Sequence, residues 1–238
     1  MKKSTVGDSI ASENAHWTFG GNVHETFDDH VSKSVPLYSA GHDLAAMASD
    51  FFLREDSLCY DLGCSTGQLT KKLAQRTSNR KVRFIGLDCE ESMVEHAKKT
   101  CAEFGSVEFH TADLLDFEFE KSDLIVSYYM MQFIPARNRQ LLFNRIYESL
   151  NWGGGFLLFE KVRAPDARFQ DMMTTLYTDY KLDQGYKADE IVAKSRSLKG
   201  VLDPFSTNGN HDLLSRAGFV DVMSIMKYIC FEGFLAIK

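Results

Sequence analysis

From about residue 40 the chain alternates between two hydrophobic periods. Apolar positions three and four apart predict a helix over Asp43 to Leu53. The apolar run Leu58 to Leu62 predicts a strand buried on both faces, and helical spacing returns over Gln68 to Arg76. The exchange repeats with strands at Val82 to Leu87, Val107 to His110, Leu124 to Ser127 and Phe156 to Phe159, and with helices at Glu91 to Phe104 and Asn138 to Leu150. A helix over His211 to Ala217 ends at Gly218, a residue able to close it in the left-handed conformation. Val220 to Ile225 and a final run Ile229 to Ile237, broken by Glu232 and Gly233, follow with no helix between them. Six or seven strands alternating with helices predict an α/β protein with a doubly wound sheet whose last two strands form an antiparallel hairpin.

Two segments depart from the repeat. Residues 1–39 are polar at first and then carry spaced large side chains, Trp17, Phe19, Phe27, Val35, Leu37 and Tyr38, the pattern of an N-terminal lid packed on a core. Residues 40–238 read as one domain carrying a helical insertion at 162–205, with helices around Phe169 to Lys181 and Ala188 to Lys199. Ligands of open α/β sheets sit at the carboxyl ends of the strands, where long connections shape the pocket. Only four prolines punctuate the 238 residues, and no internal repeat divides them.

Charge narrows the classes of function. With 27 basic and 33 acidic residues the net charge is −6, so the chain lacks the positive field that neutralises phosphates, and stable nucleic-acid binding is not expected. The longest uncharged stretch, Leu124 to Ala136, is too short for the roughly 20 apolar residues of a membrane span. The N-terminus lacks the apolar core of a secretory signal, and residence in the cytoplasm is the expectation. Five cysteines without a C-x-x-C pair and seven scattered histidines predict reduced thiols and no metal site.

The strongest chemical signal is Tyr60-Asp61-Leu62-Gly63-Cys64-Ser65-Thr66-Gly67, an apolar strand entering a D-x-G-x-x-x-G turn that opens a helix. Gly63 can adopt backbone angles closed to other residues and lets a ligand approach the main chain. Gly67 lets the helix start close to the strand. Asp88 then ends the next strand, where a carboxylate can accept both hydrogen bonds of a ribose diol. Asp113 ends the one after, within reach of an adenine amino group. Three carboxylates in order on successive strands predict an adenosine site.

The turn lacks the G-x-G-x-x-G of dinucleotide folds and the Walker lysine. It resembles the first motif of class I S-adenosylmethionine-dependent methyltransferases, which implies a Rossmann-like sheet of about seven strands. Leu150-Asn151-Trp152-Gly153-Gly154-Gly155-Phe156-Leu157 resembles that superfamily's turn into its fifth strand. The likeness extends along most of the chain. Trp17-Thr18-Phe19, Val31 to Tyr38, Met131-Gln132-Phe133, Glu160-Lys161, Gly185-Tyr186 and Glu190-Ile191 resemble the carboxy-S-adenosyl-L-methionine synthase family. That family carboxylates S-adenosylmethionine, with prephenate as donor, for later modification of wobble uridine in tRNA, and its members are homodimers. By position, the resemblance implies cofactor contacts from Tyr38, Gly63, Cys64, Ser65, Asp88, Cys89, Asp113 and Leu114, joined by Asp61, Gly67 and Tyr128 around the same turn and strand ends.

Two positions depart from the family. Tyr128 stands in place of an asparagine at the end of the fourth strand, and Lys194-Ser195-Arg196-Ser197 replaces a Lys-Arg-Ser run whose arginine holds the extra carboxylate. A gapless alignment puts Ser195 at that arginine. A slip to Arg196 rotates the side chain by about 100° on a helix. These departures favour a methyltransferase acting on a small-molecule acceptor, with Tyr38, Tyr128 and Arg196 as candidate catalytic residues and Tyr129, Glu160, Lys161, Tyr177 and Tyr186 as further pocket residues. The alternatives are the synthase itself and a non-catalytic module that binds S-adenosylmethionine or its carboxylated derivative.

Overall fold

Leu58-Cys59-Tyr60-Asp61-Leu62 is buried at every position, which only a strand covered on both faces achieves. In the computed structural model, which describes residues 4–5, 11–12, 15, 19 and 23–238, it is an interior strand, β1. Trp17 and Thr18 lie outside the described residues. Apart from a separate antiparallel pair, Ser4–Thr5 with Ala11–Ser12, the other strands are β2 (Arg83–Asp88), β3 (Val107–Thr111), β4 (Ser122–Tyr128), β5 (Leu150–Lys161), β6 (Asp221–Tyr228) and β7 (Phe231–Ile237). They form one seven-stranded sheet in the order β3-β2-β1-β4-β5-β7-β6. The first five are parallel, and β7 runs antiparallel to both β5 and β6, as the missing helix between the last two strands predicts.

Among the described residues eight α-helices accompany the sheet: α1 (Val23–Ser34), α2 (Tyr38–Ser49), α3 (Gln68–Arg76), α4 (Glu91–Thr100), α5 (Ala136–Ser149), α6 (Ala167–Asp183), α7 (Ala188–Ser197) and α8 (Thr207–Ala217). The period of two along β1 sends Leu58, Tyr60 and Leu62 to one layer, with Leu142 and Phe143 of α5 and Leu213 and Leu214 of α8. Cys59 goes to the other layer, with Ala45 of α2 and Leu73 of α3. Strand order reverses between β1 and β4, so the carboxyl ends of these two strands open a crevice at the switch point. No described helix is long and apolar enough to cross a membrane.

Several boundaries differ from the sequence reading for physical reasons. α2 starts at Tyr38, five residues before Asp43, because Leu37 turns the chain at φ 57° straight after Pro36 and the Tyr38 ring packs at a tilt against His42 one turn on, at 4.6 Å. β7 is unbroken. Glu232 is buried in it and accepts hydrogen bonds from Thr207 Oγ1 (2.5 Å) and Lys227 Nζ (3.0 Å), while Gly233 leaves room for the Phe159 ring. The glycine-rich turn before the fifth strand is a bulge inside β5. Ser122 pairs with Leu150 but Leu124 pairs with Gly155, and Gly153 takes φ 80°. Gly218 closes α8 at φ 118°, as predicted.

α1 lies between the turn after β1 and the 162–205 segment. Asp28 accepts hydrogen bonds from Thr66 Oγ1 (2.6 Å) and Gln68 Nε2 (3.0 Å). From the other side the hydroxyls of Tyr177 and Tyr186 donate to the carbonyls of Ser34 (2.7 Å) and His30 (3.2 Å).

Candidate functional site

Asp61, the fourth residue of the buried β1, accepts a hydrogen bond from Thr70 Oγ1 of α3 at 2.6 Å. Burial pushes its carboxyl up to about 6 against that bond. The chain then turns through Gly63 at φ 73°, Ser65 at φ 49° and Gly67 at φ 80°. A side chain at Gly63 would collide with Met130, and one at Gly67 would press on Ala97 of α4. The two glycines therefore let strand and helix close up around the turn.

Asp88, at the tip of β2, ties this turn to its own. One oxygen accepts the Ser65 N–H at 2.9 Å and the other the Glu90 N–H at 3.0 Å. A carboxylate oxygen offers two lone pairs, so both retain capacity for a ligand hydroxyl. Asp113, beyond β3, accepts the Leu115 N–H at 2.9 Å, with Leu114 buried beside it. Cys89, next to Asp88, is exposed.

All the sequence-proposed cofactor residues except Gly67 border one cavity of about 990 Å³. That is the upper end for a small-molecule pocket and leaves room for a second ligand beside a nucleoside. Aligned carboxylates and a glycine turn match the hydroxyl and amino donors of an adenosyl group, so the residues present fit S-adenosylmethionine. Gly67 acts instead through the start of α3, as its N-cap.

The three candidate catalytic residues also reach this cavity, in different ways. The Tyr128 ring packs on His42 (4.5 Å between centroids) and Tyr38 (5.2 Å), and its hydroxyl donates to the Tyr38 carbonyl at 2.6 Å. Burial pushes the Tyr38 and Tyr128 hydroxyls well up, and at Tyr38 the charges of Asp28 and Asp61 add to it. Both are therefore neutral at physiological pH and serve as donors and walls rather than proton acceptors. Arg196 and Ser195 both border the cavity from α7, so the shift of one residue leaves a guanidinium at its rim.

Glu160, read from the sequence as a pocket residue, is fully buried and does not border the cavity. Burial pushes its carboxyl up to about 8, although the Arg139 guanidinium opposes the shift. It accepts the Gln132 N–H at 3.2 Å and so braces the 3₁₀ turn Met131–Phe133. Tyr129, Lys161, Tyr177 and Tyr186 border the cavity as well. The sequence reading missed Asp28, Lys181 and Lys199, all or part of whose side chains stand at or beside this site. The available signal for Lys181 was its place one helical turn after Tyr177.

Comparison with known proteins agrees with this geometry. Residues 60–154 match the methyltransferase domain family. Across 221 residues the chain is 35% identical to the carboxy-S-adenosyl-L-methionine synthase of Campylobacter lari, covering 92% of this chain and 94% of that one. Across 223 residues it is 34% identical to the synthase of Staphylococcus epidermidis, covering 93% and 97%. Among solved structures, human N-acetylserotonin methyltransferase in complex with SAM superposes with a TM-score of 0.62 at 19% identity, over 91% of this chain and 55% of that longer one. A cyclopropane synthase of Mycobacterium tuberculosis gives 0.59 at 19%, over 79% and 63%. With a class I methyltransferase fold and relatives matched along nearly their whole length, the chain is an S-adenosylmethionine-dependent transferase and belongs to the carboxy-S-adenosyl-L-methionine synthase family.

Proposed function

We propose that the protein makes carboxy-S-adenosyl-L-methionine from S-adenosylmethionine and prephenate, in preference to methylating a small-molecule acceptor. The observation that carries this reading is the polarity of the cavity. Asp61, Asp88 and Asp113 gather at the strand tips of the adenosine side, while Lys161, Arg163, Lys181, Lys194, Arg196 and Lys199 border the same space from β5, α6, α7 and the segments that follow β5 and α7. Cations in that number suit an anionic second substrate. A methyl acceptor would instead need its proton removed, and the tyrosines are neutral while burial favours the protonated form of Glu160 at neutral pH.

In the proposed reaction one methyl hydrogen is replaced by a carboxylate. Prephenate supplies the carboxyl group, and the remainder leaves as phenylpyruvate with one water, so atoms and charge balance. The protein's share is to hold the two reactants against each other and keep bulk water out. Incubation with both substrates is expected to yield, by mass spectrometry, a nucleoside heavier than S-adenosylmethionine by one carboxyl unit, and only when prephenate is present. Methylated acceptor without that nucleoside would return the assignment to an ordinary methyltransferase.

The homodimer implied by the family has a suitable surface in α6. None of its residues is buried, and Phe169, Met172 and Leu176 are exposed on it.

A further inference from the structure

Tyr129 follows β4 with φ 59°, a left-handed conformation uncommon for an aromatic residue. The fold holds it there from three sides. Its N–H donates to the Phe159 carbonyl at 2.8 Å, its carbonyl accepts from Gln132 Nε2 at 2.9 Å, and its ring meets Phe231 edge-on at 5.6 Å. Yet its buried hydroxyl has no hydrogen-bond partner among the described residues, an omission folded proteins rarely tolerate.

Two lysines stand around the same aromatic group. The ammonium groups of Lys161 and Lys181 each lie 4.4 Å from the centroid of the Tyr177 ring, and that ring contacts Phe231 at 5.3 Å. Gln132 also fixes Lys161, because its Oε1 accepts the Lys161 N–H at 2.9 Å. One amide side chain thus sets the spacing between Tyr129 and Lys161. Among the described residues neither ammonium has a carboxylate at ion-pair distance; ring faces take that place. Burial opposes both charges, and Lys161 adds to the cost at Lys181. Two cations without an anion and a hydroxyl without an acceptor share one unmet requirement, an anionic oxygen.

We propose that Lys161, Lys181 and the Tyr129 hydroxyl form a carboxylate-binding subsite for the organic acid that donates the carboxyl group. The assignment rests on the proposed reaction and identifies which carboxylate is held. Ion-pairing the group that departs would stabilise the reactant against its loss, so the subsite takes the carboxylate that the donor retains. Phenylpyruvate keeps that carboxylate and binds the same place, its ring against Tyr177 and Phe231.

The test titrates phenylpyruvate into full-length protein loaded with S-adenosylhomocysteine, for wild type, Lys181→Met, Lys181→Arg, Lys161→Met and Tyr129→Phe. Loss of either lysine is expected to weaken binding by about tenfold or more, and Tyr129→Phe by about threefold to tenfold. Lys181→Arg is expected to recover most of the affinity, with S-adenosylhomocysteine affinity unchanged throughout. In turnover the lysine variants are expected to raise KM for prephenate with kcat largely kept. Lys181 is only partly buried on α6, so Lys181→Met and its arginine rescue decide the matter even if Lys161→Met fails to fold. Failure of the wild type to bind phenylpyruvate overturns the subsite, as does wild-type affinity in Lys181→Met. Lysine-dependent binding of phenylpyruvate without formation of the carboxylated nucleoside sustains the subsite and overturns the proposed reaction instead.

Discussion

Tyr128 shows how a large side chain is accepted at the end of β4. Gly41 of α2 lacks the Cβ that would collide with its hydroxyl, which then reaches the Tyr38 carbonyl at 2.6 Å. Tyr128→Phe removes one buried hydrogen bond and leaves the packing, so a loss of about 1 kcal/mol is expected from denaturant unfolding, with kcat within a few-fold of wild type. A loss of a thousandfold in kcat would make the hydroxyl a catalytic group. Lys181 supplies a pH prediction. Burial and then Lys161 bring it down to about 8, while Tyr129, Tyr177 and the Cys230 thiol around it are all pushed up by burial. Lys181 borders the cavity and is charged below about 8 and neutral above, whereas Glu160, brought to a similar value by burial, does not border it. Phenylpyruvate affinity is therefore expected to hold at pH 7 and fall as pH rises through about 8, with the step absent in Lys181→Met, measured by calorimetry across pH.

Among the elements, α1 bears on cofactor exchange. Its Asp28 bridges Thr66 and Gln68 across the start of α3, and two tyrosine hydroxyls of the 162–205 segment hold its other side. Asp28→Ala removes both bonds to the turn while leaving the sheet untouched. S-adenosylhomocysteine is expected to dissociate several-fold faster in stopped-flow measurements, with the circular dichroism spectrum unchanged. Elements that follow local rules were legible in the chain. β1 and α3 lie where the run Leu58 to Leu62 and the spacing of Gln68 to Arg76 put them, because burial on both faces and one apolar stripe leave a direct pattern. α2 departs from its pattern at both ends, and β7 by running unbroken through Glu232 and Gly233. Tyr38 begins a helix through a turn at Leu37, and Glu232 is tolerated in a strand only because Thr207 and Lys227, distant or across the hairpin, satisfy it.

For the molecule as a whole, the uncovered apolar face of α6 is the surface expected to pair two copies. Met172→Glu with Leu176→Glu is predicted to shift a dimer to monomer in light scattering, because each places an unpaired charge in the contact. A wild type that is monomeric at micromolar concentration would remove the expectation. The adenosine half of the site could be read from residue order alone. Asp61 lies one residue before the end of its strand, Asp88 ends the next and Asp113 follows the one after, and parallel strands bring such ends to one edge whatever the details of packing. The other half could not. Tyr129, Lys161 and Lys181 belong to three separate elements, and each by itself reads as a core aromatic or a surface lysine. Their meeting around Tyr177 and Phe231 depends on how α6 folds back over the ends of β5 and β7, through contacts between residues far apart in the chain. Local periodicity thus determines strands, helices and the carboxylates at their ends, whereas the convergence of cations and a left-handed tyrosine is set by long-range packing, which has no short-range signature.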